Sequence, residues 1–239
     1  MTMSPSDKFK KYAWFSVQVD QYYSAVCIYA RNHECFRHIY QSIPRGSDWP
    51  QDLNTNTAAK KFFQIAAMHF NMMGTTGIFE SAPFPELKEV SADMINFGFY
   101  TCFCFQWSLF ETFVKESVLN LTNDKVIPEK VSRELKKKER STAKFFAYID
   151  GGLVFGRSPF TTVLPVTSWV PKFETCTFQD LDQIRLIRNE FIHSPRDKAI
   201  LPNTEIEKER LYKRSMWMMR KFAENVDWEV ENIRSRTTT

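Results

Sequence analysis

Glycine and proline are scarce in this 239-residue sequence, at 7 and 11 copies. So few turn-formers argue against the many short strands and tight turns of a β-sandwich and favour long helices. The five cysteines (Cys27, Cys35, Cys102, Cys104 and Cys176) are odd in number and contain no CxxC pair. The opening MTMSPSDKFKKYAWF has no apolar run of the kind a secretion signal carries. A reducing cytoplasm is the expected location. No apolar stretch reaches the ~20 residues that span a bilayer. The nearest, INFGFYTCFCFQWSLF from Ile95 to Phe110, is interrupted by Asn96, Gln106 and Ser108 and closed by Glu111. It reads as a buried core helix; a membrane-associated effector is the disfavoured alternative. No Gly-rich phosphate loop, nucleotide-binding fingerprint, Ser/His/Asp order, internal repeat or low-complexity segment occurs. The net charge of +4 says little about partners.

What the sequence does have is apolar residues at helical spacing: 43% of the chain is hydrophobic, with 22 Phe. A first helix is expected with Ser4 as N-cap and Pro5 at its first position, running to about Tyr40. A second follows Thr57 (AAKKFFQIAAMHFNMM) and stops at Gly74. A third reads from Pro85 to about Leu121, with a bend allowed at Gly98. A fourth starts with Pro128 and runs to Ile149, before Gly151-Gly152. The proline-rich segment near 151–176 is the irregular insertion. Thr177 caps the next helix, which Pro195 ends, and Thr204 with Glu207 forms a capping box for the last one. There Met219, Phe222, Val226, Val230 and Ile233 form an apolar stripe, before a frayed RSRTTT tail. The architecture is therefore all-α, with a helical portion over 1–83 of unknown role and a helical bundle over 84–236.

One stretch could carry chemistry: IRLIRNEFIHSPRDK, Ile184–Lys198. Leu181, Ile184, Ile187 and Phe191 set the buried face of its helix. Arg188 and His193 lie about 140° apart around the axis, yet a long arginine lets both head groups reach one groove beside the helix end. Pro195 stops the helix just past His193, so the imidazole sits where the helix dipole favours its protonated form. A histidine near its ordinary pKa of ~6.5 exchanges protons at neutral pH. A guanidinium offers paired donors to phosphate oxygens that gain charge in a transition state. Together they suffice for RNA cleavage by its own 2′-hydroxyl. One histidine does not easily serve both sides of the phosphorus, and a symmetric dimer would supply the second.

Arg188, Asn189 and His193, near the end of an amphipathic helix in an all-helical chain, resemble the HEPN superfamily (higher eukaryote and prokaryote nucleotide-binding domains). Its ribonuclease members carry R-x(4–6)-H with a polar residue after the arginine. The upstream LFETFVKE, with Glu111 and Lys115, is similar to the HEPN helix that often holds an acidic residue facing the motif. The resemblance covers about residues 85–234. It implies a HEPN-like helical bundle and a metal-independent endoribonuclease without cofactor, leaving a 2′,3′-cyclic phosphate and a 5′-hydroxyl. It also implies a homodimer with a composite active site, a role as a toxin or abortive-infection effector in antiphage defence, and a regulatory protein or antitoxin as partner. Arg188 would stabilise the phosphorane, His193 would move the proton, and Asn189 would hold the motif. Glu111 and Lys115 would support them; a plain salt-bridged helix pair is the other reading of the carboxylate. A non-catalytic HEPN-like module binding RNA, a nucleotide or a protein is the alternative function.

The spacing by itself is weak evidence, since Arg31-Asn32 also precede His38; that pair reads as a polar helix face. Cys27, Glu34, Cys35 and His38 could share one face of the first helix, but one rigid helix cannot surround a metal tetrahedrally. No metal is expected. Two basic runs are candidates for RNA contact: Lys136, Lys137 and Lys138, and Lys208, Arg210, Lys213 and Arg214 around Tyr212. Arg196, just past Pro195, joins them. Both runs also read as solvated helix faces. The aromatic WSLFETF is expected to be core and dimer packing.

Overall fold

The computed structural model describes residues 4–31, 87–165, 173–193 and 204–237. In chain order they form α1 (Asp7–Arg31), α2 (Leu87–Asn123), α3 (Glu129–Lys138), α4 (Thr142–Asp150), β1 (Thr162–Pro165), β2 (Phe173–Cys176), α5 (Phe178–His193) and α6 (Glu205–Thr237). The fold is all-α, with one small hairpin. The chain divides into two compact units, Met1–Ser24 with Gly98–Thr239, and Ala25–Phe97. Both junctions fall inside helices, α1 and α2, whereas the sequence pattern suggests one boundary between 83 and 84. Of the second unit, only Ala25–Arg31 and Leu87–Phe97 are described, both helical. The helix expected over 58–73, and Glu34, Cys35 and His38, lie outside the described residues.

The first unit is built on the apolar run of α2. Phe99, Phe103, Trp107, Phe110, Val114, Val118 and Leu121 are buried. Among the described residues no helix is long and apolar enough to cross a membrane; Phe99, Phe103, Trp107 and Phe110 face a protein core, while Phe105 is exposed. Their rings continue through the unit: Trp107 to Phe110 at 5.9 Å, Phe110 to Phe146 of α4 at 5.7 Å, Phe146 to Phe160 at 5.6 Å, and Phe160 to Phe222 of α6 at 5.7 Å. Each such side chain contributes about 1.5–3 kcal/mol by leaving water, with a further gain from tilted ring contacts. Gln106, the polar interruption of the run, is buried and occupied. Its Nε2 donates to the Ser16 carbonyl at 2.7 Å, and its Oε1 accepts from Ser16 Oγ at 2.8 Å. It thereby fixes α1 against α2, beside a stacked Tyr12–Phe113 pair at 5.0 Å.

Helix starts follow the sequence with shifts of a residue or two, and the stretch over which the first helix is expected to run on to Tyr40 lies outside the described residues. The cap of α1 is Ser6 rather than Ser4: its Oγ accepts from Phe9 N at 3.1 Å, and its own N–H donates to the buried Asp227 of α6 at 3.0 Å. A long-range carboxylate thus selects the starting residue, which local preference cannot see. Pro128 precedes α3 as its N-cap residue. α2 runs unbroken through Gly98. Thr204 and Glu207 form the capping box of α6, with Thr204 N to Glu207 Oε2 and Glu207 N to Thr204 Oγ1 both at 3.2 Å. The insertion folds as an antiparallel hairpin with Thr162 opposite Cys176 and Pro165 opposite Phe173. Leu164 and Cys176 turn inward, and Val163 and Phe173 outward. Before it, Gly152 holds φ +73°, and a Cβ there would stand 3.3 Å from Arg157 N, so the turn needs glycine.

One difference shapes the site. The expected single helix from Pro128 to Ile149 is two helices. Ser141 adopts an extended backbone (φ −119°, ψ 102°) and starts α4 afresh. Ser and Thr in succession favour a helix start over a helix interior. The break gives this region a second helix N-terminus.

Candidate functional site

A cleft of about 180 Å³ opens between α2, the start of α4 and α5, lined by Trp107, Glu111, Ser141, Thr142, Ala143, Arg185, Arg188 and Asn189. Arg188 and Asn189, singled out in sequence, are there together with Glu111. Each wall arises from a local cause. Leu181 and Ile184 bury one face of α5, which turns Arg185 and Arg188 toward the cleft. At the helix start, Asp180 Oδ2 accepts from Thr177 N at 2.9 Å and from Thr177 Oγ1 at 3.3 Å, fixing the first turn.

The α2 wall is saturated. Glu111 accepts from Lys115 Nζ at 2.7 Å, from Trp107 Nε1 at 2.9 Å and from the Thr142 hydroxyl. Lys115 also donates to Thr142 Oγ1 at 3.0 Å. Burial raises the Glu111 pKa, but these hydrogen bonds and the Lys115 charge outweigh it and hold the carboxyl below its ordinary value. Glu111 is therefore an anion tied to α4. Among the described residues its partners are Lys115, Trp107 and Thr142, not Arg188.

The α5 wall is open. Arg188 Nε is buried without a hydrogen-bond partner, and Nη1 donates to Asn189 Oδ1 at 3.1 Å. No carboxylate among the described residues pairs with this guanidinium. Its charge reaches the half-buried Cys104 on α2, whose thiol pKa burial raises and Arg188 partly lowers. Arg185, one turn earlier, is held through Nε to Asp182 Oδ1 at 2.7 Å, with its side chain 19% exposed. Its terminal amino groups take no partner among the described residues. The third wall is the first turn of α4, whose cap Ser141 makes no side-chain hydrogen bond. The N–H groups of Thr142, Ala143 and Lys144 have no acceptor among the described residues. Helix starts carry such unsatisfied donors and partial positive charge. With Arg185 paired to Asp182 and Glu111 to Lys115, Arg188 is the lining charge without a counter-charge among the described residues. Such an arrangement has the chemistry to hold an anion.

His193 is the last residue of α5; the side chains of His193 and Phe191, and Arg196 as a whole, lie outside what the structure describes. Along the axis it stands about 7.5 Å beyond Arg188. The basic runs are largely engaged elsewhere. Lys137 and Lys138 pair with Glu134 at 2.8 and 2.7 Å, and Lys138 also lies over the Tyr148 ring. Lys213 binds Asp20 at 2.6 Å, and Arg214 binds Glu174 and Asp180. Tyr212 is core. Lys136 and Arg210 are exposed, and Lys208 is half-buried. Of the WSLFETF cluster, Trp107, Phe110 and Phe113 are buried, which leaves no ring there for a base to stack on.

The sequence pattern alone does not mark Trp107, Ser141, Thr142, Ala143 and Arg185 as lining residues. The signal for three of them is the Ser141-Thr142 pair after ELKKKER, a helix start that reads as helix interior. Arg185 carries no signal, because its place depends on which face Leu181 and Ile184 bury.

Among the described residues no cluster of metal-ligating side chains occurs. Set against protein-family models, curated proteins and solved structures, the chain matches none of them.

Proposed function

We propose that this cleft is the active site of a HEPN-type endoribonuclease that cuts RNA without a metal. The observation that carries the reading is the Arg188 guanidinium: buried at Nε, without a carboxylate partner among the described residues, and beside the helix end that bears His193. A phosphodiester is the anion that this pair can both hold and cleave. The 2′-oxygen attacks phosphorus and the bond to the 5′-oxygen breaks, leaving a 2′,3′-cyclic phosphate and a 5′-hydroxyl. One imidazole accepts the 2′-hydroxyl proton, and an imidazolium from a second copy protonates the leaving oxygen. Arg188 stabilises the charge on the non-bridging oxygens, and Asn189 steadies Arg188. Glu111 and Lys115 support the site by anchoring α4 to α2. Uncontrolled, such an enzyme would be toxic to its own cell, in keeping with an abortive-infection effector held by a regulatory partner.

The test is incubation of the purified chain with end-labelled RNA in EDTA. Cyclic-phosphate products are expected, and Arg188→Ala and His193→Ala should each abolish them with the helical CD spectrum unchanged. Cleavage that needs a metal, or that survives both substitutions, overturns the proposal. Tight binding of RNA that is never cut would leave the non-catalytic module as the function.

A further inference from the structure

We propose that the Arg185 end of the cleft is a second phosphate position, so that the site holds two consecutive phosphates of one RNA strand and does not read the base. The inference rests on the reading that this cleft binds RNA. Arg185 is held ready to grip a phosphate, since its Nε is fixed by Asp182 Oδ1 at 2.7 Å and four-fifths of its side chain is covered. Both terminal amino groups are open among the described residues, a preset fork that matches two oxygens of a phosphate. Facing it, the first turn of α4 presents the unpaired N–H groups of Thr142 and Ala143, donors that favour an anion. Arg185 and Arg188 are one helical turn apart, about 4.5 Å along the axis. Two guanidinium groups lining one small cleft are more stable with anionic charge between or beside them.

The one carboxylate in the lining does not oppose this. Glu111 is neutralised by Lys115, and its oxygens are engaged by Lys115, Thr142 and Trp107. The one aromatic residue in the lining does not offer a stacking face. Trp107 is 1% exposed with Nε1 bonded to Glu111. Contacts to phosphate position a strand without reading its sequence, so the cleft itself should be indifferent to the base.

The experiment uses uncleavable 2′-O-methyl dinucleotides with the full chain: UpU, with one phosphate, against pUpU and UpUp, with two. In the wild type, one of the two extended ligands should bind about tenfold more tightly than UpU at low salt. Arg185→Gln should reduce that gain below about twofold and weaken UpU by a clearly smaller factor than it weakens the extended ligand. Arg185→Lys, keeping charge without the fork, should fall between. Replacing uridine by adenosine should leave the affinities within about twofold. The proposal is overturned if neither extended ligand gains, if the gain persists in Arg185→Gln, or if the glutamine variant weakens UpU equally while its thermal melt is unchanged. Cleavage of ordinary RNA is scored separately. A chain that shows the gain but never cuts removes the ribonuclease reading alone, and one that cuts without an Arg185-dependent gain removes the second position alone.

Discussion

Arg214 and Arg188 look alike in the sequence, each in a basic or polar run on a helix, yet the structure treats them in opposite ways. Arg214 of α6, beside the N-terminal end of α5, donates Nε to Glu174 and Nη2 to Asp180 at 3.0 Å. It ties the β-hairpin, α5 and α6 together. Burial lowers its pKa and the two carboxylates raise it further, so it stays charged throughout. Arg188, toward the other end of α5, has Asn189 as its one hydrogen-bond partner among the described residues and a buried Nε with none. A satisfied arginine holds a fold; one left without a counter-charge is a place for a ligand. The difference lies in what the neighbouring elements bring, not in the residue.

The contrast is broken most directly by exchanging the consequences of losing each side chain. Arg188→Ala should lower kcat/KM for RNA by about 10²–10³ or more, the usual effect of losing a donor to developing charge, with little change in Tm. Arg214→Ala should leave kcat/KM within about twofold and cost about 1–2 kcal/mol of stability, because two part-buried carboxylates lose their partner. For a chain of this size that is a Tm lower by roughly 2–8 °C. An Arg214→Ala protein that is fully stable but inactive would invert the comparison.

Acid sharpens it further. Asp180 and Glu111 both have folded pKa values held below their ordinary 3.8 and 4.5: burial opposes, but hydrogen bonds from the Thr177 N–H and Arg214 to Asp180, and from Lys115 and Thr142 to Glu111, prevail. A carboxyl whose folded pKa is depressed binds fewer protons folded than unfolded. Its stabilisation is therefore complete above the ordinary value and is lost as pH falls through the depressed one. Melting curves should be flat from neutral pH to about 5 and fall below about 4. Asp180→Asn or Glu111→Gln should flatten that fall while lowering the plateau; an unchanged acid slope in both variants would contradict the assignment. The smallest effect belongs to Lys137→Ala, whose exposed pair with Glu134 is screened by water and should leave the unfolding midpoint unchanged. A lower midpoint in urea melts would mean that the basic run of α3 has a structural role the contacts do not show.

Much of the molecule is legible without the structure. The all-α class follows from scarce glycine and proline. The core is visible as Phe99, Phe103, Trp107 and Phe110 at helical spacing, and the capping box at Thr204 and Glu207 forms as its pattern predicts. Arg188 and Asn189 are marked by their pattern, and they line the cleft with Glu111. The α3–α4 break is not legible beyond the hint of the Ser141-Thr142 pair, because ELKKKER and STAKFF are both good helix segments and the extended backbone of Ser141, where they join, is a single-residue decision. The Ser6 cap is not legible either, because its partner Asp227 is distant in sequence.

The sequence by itself determined which residues are apolar at which spacing, and hence the all-α class, the buried face of the central helix and where most of the described helices start. Those properties are local, set by backbone preference and by the need to hide one face from water. Only the tertiary structure decided which charges are balanced. Arg214 meets two carboxylates, Glu111 meets Lys115 and Thr142, Arg185 keeps Asp182, and Arg188 has no carboxylate among the described residues. Electrostatic pairing depends on through-space distances of a few ångströms between elements far apart in the chain, and no periodicity in the sequence encodes those distances.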